Sequence, residues 1–257
     1  PLTLFRAAGA NRMFIPLGDD NSNRRSFPVI VPLVIILNAI GWYLQLSRGD
    51  SFTYGYSFVP AEMTAGRDMI GPVKLAINHQ PVTFTLYRSP HPLLLTAFSA
   101  MFMHGSWGHL IGNMVYLWIF GDQIEDRLGR FRFLLFYLGC GVVATLAHYG
   151  ADTRSPMPCL GASGAIAGVL GAYLITHPHN RITVIVFRSL IHLPAVVVLG
   201  GWFLMQLVGQ FGSAAPSGSL VAYAAHLGGF IAGSVAILVL RPRKYLHEHR
   251  AVFRRRW

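Results

Sequence analysis

The chain of 257 residues is 53% hydrophobic and only 12% charged, with a mean hydropathy of +0.46. A water-facing surface of normal size needs about a quarter charged residues, so an ordinary soluble domain is excluded and a membrane protein is expected. Lys and Arg outnumber Asp and Glu 21 to 10. That balance would suggest a nucleic-acid partner in a soluble protein, but here the cations gather at the ends of apolar runs, so no nucleic acid is expected.

Six apolar runs follow in chain order: 27–46, 104–120, 131–149, 161–176, 190–208 and 220–240. Each approaches the ~20 residues that cross a hydrocarbon core at 1.5 Å per residue. No cleavable signal peptide is expected before the first run, and Met13 reads as a natural start with 1–12 as an extension. Six spans put both termini on one side. On that side lie sixteen Lys and Arg, against five on the other (Arg48, Arg67, Lys74, Arg88 and Arg154). Cationic loops stay cytoplasmic, so both termini are expected inside, in a bacterial plasma membrane. The division expected is a cytoplasmic segment 1–27, a membrane domain 28–240 and a basic tail 241–257 that meets anionic lipid. The fold class predicted is all-α, a polytopic bundle of six transmembrane helices with a long outer loop between the first two. That loop, 47–103, includes a PVTFTLY segment expected to pair as a strand and an apolar LLLTAFSAMFM expected at the membrane interface. The last outer loop, 209–219, reads as a flexible cap.

Polar side chains inside hydrocarbon cost on the order of a few kcal/mol each unless they meet partners. The second run holds His109 and Asn113, the fourth opens with Ser163, and the sixth contains His226. They are expected to face one another. Without a carboxylate at their depth, a Ser-His pair is the largest nucleophilic unit available. Ser163, Ala167 and Gly171 recur at i, i+4, i+8, flanked by Gly164 and Gly168; His226, Gly229 and Gly233 recur at i, i+3, i+7. Two such bare stripes allow close helix contact, which would bring Ser163 to His226. His109 and Asn113, at i and i+4, share a helix face and can donate hydrogen bonds toward one point, as an oxyanion site requires. His104 is expected to fix the long loop structurally. A zinc site is not expected, since no span carries H-E-x-x-H, and Cys140 and Cys159 lack the spacing of a metal or disulfide framework. Gln206, Asn38 and His148 read as packing or interfacial polars, and His177-Pro-His179 as a helix stop.

MHGSWGHLIGNM at 103–114, GDQIEDRLG at 121–129, GASGAIAGVLGAY at 161–173 and AHLGGFIAG at 225–233 resemble, in order and position, the motifs of the rhomboid family of intramembrane serine proteases. The resemblance implies Ser163 as nucleophile and His226 as general base. It gives His109, Asn113 and the backbone N–H of Ser163 as oxyanion partners, with Gly161 in the nucleophile's motif and Glu125 to Gly129 as a turn closing the second span. It implies no cofactor, and as substrates single-span membrane proteins cut near the outer boundary. Where some members carry an aromatic residue packed on the base, this chain has Ala167; Thr96 and Ala97 replace a Trp-Arg pair. An inactive rhomboid-like protein that binds membrane clients is the alternative function, and a small transporter a more distant one.

Overall fold

The computed structural model of the chain describes residues 15–20, 24–77, 80–186, 189–211 and 222–240. The basic tail expected over 241–257, the parts of the N-terminal segment at 1–14 and 21–23, and residues 212–219 of the expected cap lie outside them. In chain order the elements are β1 (Ile15–Asp19), α1 (Ile30–Arg48), α2 (Asp50–Gly55), α3 (Pro60–Ala65), β2 (Gly71–Ile77) and β3 (Gln80–Leu86). Short helical turns follow at Leu93–Leu95, Thr96–Ser99 (α4) and Ala100–Phe102. The chain continues through α5 (Trp107–Leu128), α6 (Arg130–Ala151), α7 (Ser163–Thr176), β4 (Arg181–Val186), β5 (Ser189–Pro194), α8 (Ala195–Phe211) and α9 (Tyr223–Val239).

Each apolar run thus contains one long helix, and the architecture is mostly helical. Among the described residues, only α1 and α6 are both long and apolar enough to cross a membrane by composition alone; α7, α8 and α9 are apolar but shorter. The brevity of α7 fits its position. From Gly164 to Tyr173 it is buried throughout, surrounded by protein on every side, so its length is set by its neighbours rather than by a bilayer. Large apolar side chains point outward instead from the peripheral helices. Examples are Ile36 and Ile40 on α1, Leu135 and Leu146 on α6, Leu204 and Val208 on α8, and Val235 and Leu238 on α9. Exposed apolar surface this extensive is incompatible with water as the surrounding solvent.

The all-α expectation needs correction. β1, β4 and β5 form an antiparallel sheet in the order β1-β4-β5, and β2 pairs with β3 as a hairpin. The apolar run at 190–208 accordingly splits, with 190–194 in β5 and the helix starting only at Ala195. Overall apolarity cannot tell strand from helix over so short a stretch. The β-branched RITVIV has the alternation that can, since Ile182 and Val184 are fully buried against the bundle. The strand expected at PVTFTLY is present as β3.

The GDQIEDR segment is helical and extends α5 beyond the expected end at residue 120, to a C-cap at Gly129 with φ +78°. Its acids hold the N-terminal part of the chain. Glu125 accepts from the backbone N–H groups of Val29 (2.7 Å), Ile30 (2.9 Å) and Val31 (2.9 Å), which open α1 and have no acceptor within it. Asp122 accepts from Arg24 Nη1 at 2.8 Å, and Asp126 accepts from the Ser26 backbone N–H at 2.7 Å.

Candidate active site

Ser163 is the first residue of α7, and His226 lies in the first turn of α9. The two helices meet backbone to backbone. A Cβ on Gly229 would fall onto the carbonyl oxygen of Gly164, one on Gly233 onto that of Gly168, and one on Gly171 onto that of Phe230. Gly164 in turn faces α6, where a Cβ would come within 2.6 Å of the Ala144 methyl. Only hydrogen at these positions permits the approach, so the two glycine stripes read from the sequence do interlock.

As a result His226 Nε2 stands 2.8 Å from Ser163 Oγ. The other ring nitrogen, Nδ1, is 2.8 Å from Gln206 Oε1 on α8, and the Gln206 amide nitrogen donates to the Trp202 carbonyl oxygen at 3.4 Å. A carbonyl oxygen can only accept, so Nδ1 carries the ring proton and Nε2 presents its lone pair to the serine hydroxyl. Trp202 lies beside the imidazole with ring centroids 5.8 Å apart, and Ala167 is fully buried. From the sequence, Gln206 reads as a packing or interfacial polar. A buried amide within an apolar helix was the available signal, but nothing in the spacing assigned it a partner.

His109 and Asn113 project from the first two turns of α5. Ser106 caps that helix by accepting from the His109 backbone N–H at 3.1 Å. The Gly105 backbone N–H donates to His109 Nδ1 at 3.4 Å, which leaves the proton on Nε2. That Nε2–H faces Gly161, two residues before the serine. A Cβ at Gly161 would lie 2.8 Å from His109 Nε2 and 3.7 Å from Asn113 Nδ2, and φ there is +121°. Glycine is therefore required both by the backbone conformation and by the closeness of the two donors. The Ser163 backbone N–H starts α7 and has no acceptor within the helix. Two side-chain N–H donors thus lie beside Gly161, two residues before a backbone N–H and a hydroxyl that has a base at hydrogen-bonding distance. Such a grouping can deprotonate the hydroxyl and stabilise an oxygen anion next to it.

His104 lies three residues before the start of α5. It is fully buried, and the Gln45 side chain of α1 spans its backbone, accepting from its N–H (2.8 Å) and donating to its carbonyl (2.8 Å). Its Nε2 accepts from Asn113 Nδ2 at 2.9 Å, so α1 steadies Asn113 through His104. Cys140 and Cys159 are unpaired thiols. His177 directly follows the end of α7, as the helix-stop reading required.

The family profile for the Rhomboid domain matches residues 92–243. The chain is 34% identical over 145 residues to the presenilin-associated rhomboid-like protein, mitochondrial, of Bos taurus, covering 55% of this chain and 36% of that protein. It is 32% identical over 145 residues to rhomboid protein 1, mitochondrial, of Saccharomyces cerevisiae, covering 54% of this chain and 40% of that protein. To the rhomboid protease GluP of Bacillus subtilis it is 42% identical over 79 residues, 31% of this chain and 15% of that protein. The match therefore spans well under half the length of these curated relatives. With the profile covering more than half of the chain, the protein belongs to the rhomboid family of integral membrane proteins.

Proposed function

We propose that the chain is a serine endopeptidase acting within the membrane, with Ser163 as nucleophile and His226 as general base. The observation that carries this reading is the 2.8 Å contact of Ser163 Oγ with the unprotonated Nε2 of His226. Ser163 Oγ attacks a peptide carbonyl carbon while its proton passes to Nε2. The carbonyl oxygen becomes an anion bound by the N–H groups of Ser163, His109 Nε2 and Asn113 Nδ2. Collapse breaks the C–N bond, His226 returns the proton to the leaving amine, and water activated by the same nitrogen hydrolyses the acyl-enzyme. No cofactor enters. The second imidazole nitrogen faces a neutral amide rather than a carboxylate, so the imidazolium is less stabilised than in a triad and turnover is slow.

Substrates are single-span membrane proteins cut near the outer boundary, where α7 and α9 both begin. The name of one relative, a rhomboid protease, supports the reaction class. The membrane domain is 28–240 with six spans, and the sixteen-to-five charge bias supports termini on the cytoplasmic side, with 1–27 and the lipid-facing tail 241–257 inside. Labelling of purified protein with a fluorophosphonate probe tests the proposal. Covalent modification is expected at Ser163, absent in Ser163→Ala and steeply reduced in His226→Ala. Cleavage of a transmembrane substrate by the Ser163→Ala protein would overturn it, and a folded wild-type protein that neither labels nor cleaves would return the function to client binding.

A further inference from the structure

We infer that Gln206 of α8 is the positioning residue of the proposed dyad, the group that selects the tautomer and orientation of His226. This rests on the Ser163–His226 reading and adds a third member on a different helix. Gln206 is 8% exposed in a helix whose other buried residues are Ala195 and Leu199, so its amide is withdrawn from lipid and must find protein partners. Both ends have one. The nitrogen is taken by the Trp202 carbonyl one turn earlier, so the oxygen is the atom turned to His226 Nδ1 at 2.8 Å.

The consequence for the base is specific. An imidazole without a partner at Nδ1 is free to protonate on either nitrogen and to flip about its Cβ–Cγ axis. Only one of those states presents the Nε2 lone pair to Ser163; the others present N–H or C–H. An acceptor at Nδ1 excludes them. The aromatic side chains around Gln206 hold it in register: Trp202 and Phe203 stack on Phe230, with centroids 6.1 and 4.5 Å apart, and Phe230 lies one turn after His226 on α9. α8 therefore clamps the very turn of α9 that carries the base. The acceptor is neutral, so it orients the ring without adding a charge to the interior.

The test is Gln206→Met, which keeps length and removes the acceptor. Expected are a kcat and a fluorophosphonate labelling rate reduced about tenfold or more, with KM within about twofold and an unchanged melting temperature. Nitrogen-15 spectra of histidine-labelled protein, with the His226 signal identified by its loss in His226→Ala, are expected to show the Nδ1-protonated tautomer in wild type and a mixture in Gln206→Met. Gln206→Glu, which restores an oxygen at Nδ1, is expected to recover most of the labelling rate. Wild-type labelling or an unchanged tautomer in Gln206→Met overturns the inference. If Gln206→Met is unstable, a folded Gln206→Glu as inactive as it overturns the inference too. An active Ser163→Ala protein would instead sink the dyad itself, so the two failures are distinguishable.

Discussion

One of the two amide protons of Asn113 already goes to His104, at 2.9 Å, which leaves a single N–H for an oxyanion; His109, with Nδ1 accepting from Gly105, likewise has one to give. Each donor is thus pre-aimed by a partner that uses its other capacity, and neither has to reorganise when charge develops. His109→Ala and Asn113→Ala are each expected to lower kcat on the order of 10²-fold with little change in thermal stability. Wild-type cleavage by both variants would reduce these residues to interhelical contacts. The serine, the two histidines of the site and the asparagine were all legible in sequence, because polar groups in an apolar run demand an explanation. Gln206 met the same criterion yet gained no role. Its partner sits on another helix, 20 residues away, and the direction of an amide is set only by what surrounds it.

Helices α7 and α9 succeed as a pair because both stripes are glycine where the backbones touch, and this was readable from periodicity alone. The N-terminus of α1 is different. Its three first N–H groups are satisfied by Glu125, more than ninety residues on, in a segment that reads simply as a charged helix end. Glu125→Ala leaves those donors without a protein acceptor and is expected to cost about 1 to 3 kcal/mol of stability. Denaturation of the variant at the wild-type temperature would dismiss the cap. The sheet contributes a second long-range bond: Tyr173 at the end of α7 donates to Asp19 of β1 at 2.6 Å. Burial pushes the Asp19 carboxyl up to about 6, the Tyr173 hydrogen bond opposing the shift and the nearby Asp122 carboxylate adding to it. A raised carboxyl pKa means that the folded state binds the proton more tightly than the unfolded chain. Its contribution to stability is complete below about pH 4 and is lost as pH rises through about 6. Relative to Asp19→Asn, the wild type is therefore expected to lose melting temperature between pH 4.5 and 7. A difference between the two proteins that does not vary with pH would contradict this.

The molecule as a whole is inverted relative to a water-soluble bundle, with its most buried helix carrying almost nothing but Gly, Ala and aliphatic residues and its large apolar side chains facing outward. A ring of protein around α7 lets the proposed nucleophile begin a helix at depth without exposing unpaired backbone to lipid. The six-span reading assigns loop 47–103 to the outer side and residues 126–132 to the inner one. Single-cysteine labelling with a membrane-impermeant maleimide is expected to reach Arg67→Cys from outside only and Arg130→Cys from inside only. Labelling of both from one side would refute the topology.

Composition, run length and the four motifs were enough to establish a membrane bundle, the positions of its long helices and the polar residues gathered at one end of it. Those properties belong to single elements, and an element's own periodicity reports which of its faces is buried. The β1-β4-β5 sheet, the Glu125 cap on α1 and the Gln206 contact with His226 were decided only by the tertiary structure. Each joins groups on separate elements, 96 residues apart for Val29 and Glu125 and 20 for Gln206 and His226. Periodicity says that a polar atom must be satisfied, but the packing of the helices chooses the atom that satisfies it.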